Sequence, residues 1–140
     1  MNLFSTATKS EYRDIALLLL RLFCLYMLMN HGWGKFEKLM AGGDIKFMNF
    51  LGLGMTTSLA LVVFSEVLCS ALVALGVFTR LALIPLIITM IVAIFYKHMY
   101  MDGDSIWGPE LGMAYLVIFI TIYAFGPGKY SIDAVLSKRG

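Results

Sequence analysis

Four stretches of this chain are long and apolar enough that lipid, not a protein core, is their natural surrounding. They cover about 12–30, 56–78, 81–96 and 110–125. A spanning helix needs about 20 mostly apolar residues to cross about 30 Å of hydrocarbon. Hydrophobic residues make up 60% of the chain, charged residues 14%, and the mean hydropathy is +0.84. Soluble chains hold about 45–50% apolar and about 25% charged residues. A chain of 140 residues could not bury so much apolar surface within itself. The expected fold is therefore all-α, one domain over 1–140, built as an antiparallel bundle of four transmembrane helices.

The connections differ. Gly42 and Gly43 break the first loop, and Asp44 could cap a short interfacial helix over about 44–52. The turn VFTRL is so short that the second and third helices must form a hairpin. Gly, Asp and Pro mark the loop KHMYMDGDSIWGP, with Pro109 at a helix start, and GPGK is a stop signal. Lys9, Arg13, Arg80, Lys129, Lys138 and Arg139 fall on one side, and Lys35, Lys38, Lys46 and Lys97 on the other. That bias places both termini in the cytoplasm. Trp33 and Trp107 would then sit at the outer interface, and Tyr12 and Tyr130 at the inner one. The opening MNLFSTATKSEYRD is polar and of mixed charge, so the first helix reads as retained rather than as a cleaved leader.

Two charges interrupt the apolar runs. Arg21 lies about 13 Å into the first helix at about 1.5 Å per residue, and Glu66 lies at matching depth in the second. An isolated ion there costs at least about 2.5–3.5 kcal/mol, so the two are expected to pair. Such a pair could fix helix register, or form the polar floor of a substrate, quinone or proton site. His31, His98 and Glu110 close or open helices at the outer end and form a second polar group. Lys35 and Lys97 nearby could serve an anionic head group, and Arg80 could tie the cytoplasmic turn to the first or fourth helix.

Other chemistries lack their patterns. Met27 and Met101 near the histidines suggest copper only weakly, because M-x-M-x-H puts alternate residues on different helix faces; no metal site is expected. Cys24 and Cys69 lie in apolar runs without a C-x-x-C, so both read as buried thiols. No basic block supports nucleic-acid binding. The two histidines sit at one end, which excludes two bis-histidine haems.

The ordered set LLLLRLFCLYMLMNHGWGKFEKL, FLGLGM, SEVLCSALVALGVFTRLA, IVAIFYKH and GPGKYSID resembles the DoxX family of small bacterial membrane proteins. By position the characteristic residues are Arg21, His31, Gly32, Lys35, Glu66, Gly76, Arg80, His98, Gly126 and Asp133. Met55 stands in the stretch where the family typically shows Pro, and Cys24 where it often has Gly. The resemblance implies a four-helix protein of the bacterial inner membrane and association with quinone-linked redox enzymes. A quinone, a redox partner subunit and a homo-oligomer are the ligand and partners it suggests. The alternatives are a non-catalytic assembly protein, or a small lipid-binding or transport module.

Overall fold

The computed structural model describes residues 9–103 and 109–138. Helix α1 spans Ser10–Ala41, and its 32 residues make it about 48 Å long. It runs through His31, Gly32 and Gly34 instead of ending at Asn30. A lone glycine costs a helix only about 1 kcal/mol, so neither one stops it. The real stop is the pair Gly42 and Gly43, both at positive φ.

Helix α2 spans Met55–Leu75 and includes a π-helical segment, Phe64–Cys69. Gly76 closes it in the left-handed conformation with φ 70°. Helix α3 covers 79–101, with Pro85 inside it and a π-helical second part, Val92–Met101. It continues past Tyr96, so His98 lies within the helix rather than closing it. Helix α4 spans Glu110–Phe125. A further short helix, α5, spans Ile132–Ser137; the Ser131 hydroxyl caps it by accepting from Ala134 N–H. The sequence reading contains no counterpart of α5.

The helix expected over 44–52 does not form. Only a 3-10 turn, Phe50–Gly52, is present, with Leu51 at φ 49°. The loop's polar and apolar groups are committed elsewhere. Phe50 N–H donates to the Ser58 hydroxyl at 3.0 Å, and the Lys38 ammonium donates to the Lys46 carbonyl. Ile45 is buried against Leu59 and Val63. The loop is thereby folded back onto α2.

In chain order each long helix packs on the next, and α1 also packs on α4. Leu17, Cys24, Leu28, Val73, Leu83, Leu86, Phe119 and Ile122 form the core between them. Cys24 and Cys69 are buried free thiols. The outward faces carry large apolar side chains such as Leu19, Tyr26, Leu61, Ile88 and Val117. Ser10–Ala41, Met55–Leu75 and Thr79–His98 are each long and apolar enough to cross a membrane; Glu110–Phe125 is apolar but shorter.

Candidate functional site

Gly32 and Lys35 lie three residues apart on α1, so they share one helix face. That face meets the middle of α2. Built onto Gly32, a Cβ would stand 3.1 Å from both Glu66 Cβ and Val67 Cγ2. The missing side chain is what lets α1 come so close. One turn on, the Lys35 ammonium donates to both Glu66 carboxylate oxygens at 2.7 Å. The Glu66 side chain is 6% exposed and Lys35 33%, so the carboxylate is buried and the lysine reaches it from the edge.

Glu66 sits in the π-helical part of α2. The wider turn loosens the ladder there, and the Ser70 hydroxyl donates to the Glu66 carbonyl. π-Bulges of this kind are frequent at functional sites. Beside it lies a cavity of about 480 Å³. Lys35, Glu66 and Ser58 line it from α1 and α2, and Thr89, Lys97 and His98 from α3. Leu61, Val62, Ile88 and Val92 add apolar lining, and Phe47, Met48 and Phe50 line it from the first loop. Phe50 is held edge-on against Tyr96, with ring centroids 5.0 Å apart. The Thr89 hydroxyl donates to the Ser65 hydroxyl at 2.9 Å, joining α3 to α2 beside the cavity.

Arg21 does not join this site. The expected pair with Glu66 is not made, because the carboxylate goes to Lys35 and the guanidinium goes to the opposite end of the helices. Arg21 is fully buried, its Nη2 donates to the Tyr130 carbonyl, and its Nη1 lies against Gly76. Gly76 follows Glu66 by ten residues, about 15 Å along α2. Matching depth by counting from helix starts failed because α1 is longer than the bilayer core. Among the described residues, Arg21 Nε and Nη1 have no hydrogen-bond partner.

Around Arg21 the chain's C-terminal segment is tied down. The Asp133 carboxylate accepts from Phe78 N–H, Thr79 N–H and the Thr79 hydroxyl at 2.7–2.9 Å, capping α3 from outside that helix. Asp133 N–H in turn donates to the Gly76 carbonyl. Burial pushes the Asp133 carboxyl up, but the bonds from Thr79 and Phe78 and the Arg21 charge outweigh it and hold the group below its ordinary value. Arg80 Nε donates to the Tyr123 carbonyl at 3.2 Å, so this turn is tied to α4. The Asp14 carboxylate accepts from Lys129 N–H.

The residues singled out in the sequence thus divide. Lys35, Glu66 and His98 come together at the cavity; Arg21 and Arg80 lie at the other end of the helices, near Gly76 and α4. His31 and Glu110 are exposed and do not line the cavity. Trp107 and the Met27 side chain lie outside the described residues. The cavity's loop residues Phe47, Met48 and Phe50, and the latch residue Ser58, were not legible as site residues. The Gly32–Lys35 spacing was the available signal for the true partner of Glu66.

Apolar helices turned outward around buried ionic groups define an integral membrane protein. The chain belongs to the DoxX family, whose profile matches residues 16–99. It is similar to an uncharacterized membrane protein of Mycobacterium tuberculosis, 33% identical over 85 aligned residues, with 53% of this chain and 52% of that one covered. The match therefore spans about half the length of that relative. It is also similar to an uncharacterized protein of Haemophilus influenzae, 29% identical over 136 residues, covering 92% of this chain and 96% of the other. No solved structure matches the chain.

Proposed function

We propose that the protein is a quinone-linked, redox-associated subunit of the bacterial inner membrane, and that the cavity is its ligand site. The observation that carries this reading is the cavity's make-up. Its volume of about 480 Å³ falls among small-molecule sites, which measure about 300–1,000 Å³. Its walls are apolar, and its polar groups include a lysine–glutamate pair and an imidazole. An ammonium has three N–H donors, and Glu66 takes two of those of Lys35. A third donor is left for a ligand oxygen, while Leu61, Val62 and Ile88 suit an isoprenoid tail.

In this reading α4 is the fourth span of an antiparallel bundle with both termini cytoplasmic, its 16 residues accommodated by local bilayer thinning. The sequence has no C-x-x-C and only two histidines, so electrons reach the ligand through a partner redox subunit. Organic extraction and mass spectrometry of protein purified in mild detergent tests the proposal. Near-equimolar quinone is expected. Its absence, with one constant partner in pull-downs, would overturn the proposal in favour of an assembly role.

A further inference from the structure

We infer that Glu66 makes the cavity select lipophiles with an uncharged head and reject carboxylate-headed ones such as fatty acids. The inference rests on the proposed reading of the cavity as a lipophile site. Two ammonium groups, Lys35 and Lys97, face the cavity, and by residue type alone it would be an anion site. The pairing reverses that. Lys35 lies 2.7 Å from both oxygens of Glu66, and Lys97 lies 2.6 and 2.7 Å from those of Asp102. Each cation is matched by a carboxylate before any ligand arrives.

The two pairs do not weigh equally. Lys97 and Asp102 are 42% and 36% exposed, so water and salt screen them. Glu66 is buried, so its charge is screened less than that of the exposed pair. A ligand carboxylate placed beside it would set two anions against one lysine. A carbonyl or hydroxyl oxygen can accept the remaining Lys35 N–H without adding charge. Glu66 is thus a specificity-determining residue: it cancels the attraction Lys35 would otherwise exert on anions.

Native mass spectrometry of the full chain with equal concentrations of a decyl-tailed benzoquinone and decanoate tests this. The wild type should favour the quinone by about tenfold or more. Glu66→Gln, which leaves Lys35 unpaired, should reverse the ratio. The double variant Lys35→Gln with Glu66→Gln should restore the preference for the neutral head. Equal binding of both probes to the wild type, or an unchanged ratio in Glu66→Gln, overturns the charge filter and leaves the cavity reading standing. Binding of neither probe above an empty-micelle control overturns both. If Glu66→Gln does not fold, the double variant decides, and a preference for decanoate there contradicts the inference.

Discussion

The Lys35 ammonium on α1 sits 2.7 Å from each carboxylate oxygen of Glu66 on α2, with Gly32 packed on Glu66 Cβ three residues before the lysine. Close approach and charge pairing are therefore two properties of one helix face. Removing one partner of a buried pair strands the other, at a cost of about 3–5 kcal/mol. Because Lys35 is partly exposed, we place Lys35→Glu and Glu66→Lys near the lower end, at roughly 3 kcal/mol each. Exchanging both residues should recover most of the loss. Thermal unfolding of the four proteins in one detergent measures this, and a double variant no better than the singles rules the pairing out.

The two glycines of α1 provide an internal control. Gly32→Ala must push Glu66 or Val67 aside and should cost about 1–3 kcal/mol. Nothing lies within 4 Å of a Cβ at Gly34, so Gly34→Ala should be neutral or gain up to about 1 kcal/mol from helix propensity. Denaturant unfolding of the two variants side by side should show a loss for Gly32→Ala and none for Gly34→Ala.

Apolar runs made the helices legible, because lipid-facing and core-facing positions alike must be hydrophobic. They did not reveal where α1 ends. Gly32 and Gly34 look like terminators in one dimension, yet Gly32 serves packing in three. Reading α1 as closed by His31 put Lys35 in a loop and left Arg21 as the only cation inside the helices for Glu66. The cluster around Arg21 was harder still, since it depends on Asp133 folding back across more than fifty residues to cap α3 at Thr79. The loop lining of the cavity was illegible for a similar reason: Phe47–Phe50 is held by Ser58 and by the burial of Ile45, not by local helix propensity.

Asp133 supplies a pH dependence. Its carboxyl is held below the ordinary value of 3.8, so the ionised form is favoured in the folded state. The stability it contributes is present above the unfolded value and is lost as pH falls through the folded one. Unfolding midpoints measured from about pH 6 down to about pH 3 should fall more steeply in wild type than in Asp133→Asn. Parallel curves would show that this cap contributes nothing.

Tyr115 is buried, and among the described residues its hydroxyl has no hydrogen-bond partner. Desolvating a hydroxyl without a partner costs about 1–3 kcal/mol. Tyr115→Phe removes that burden while keeping the ring and its stacking on Phe119. The midpoint of unfolding should hold or rise. A fall of more than about 1 kcal/mol would mean that the hydroxyl makes a bond in the membrane.

The space between α1, α2, α3 and the first loop is proposed to hold a lipophilic molecule. Ala93 lines that space on α3, and Ala93→Trp narrows it while leaving both residues of the Lys35–Glu66 pair in the sequence. The most direct measurement is the amount of lipophile extracted per chain from wild type and from Ala93→Trp of equal thermal stability. Close to one molecule per wild-type chain is expected, with a large loss in the variant. Equal amounts in both, or none in the wild type, would contradict it.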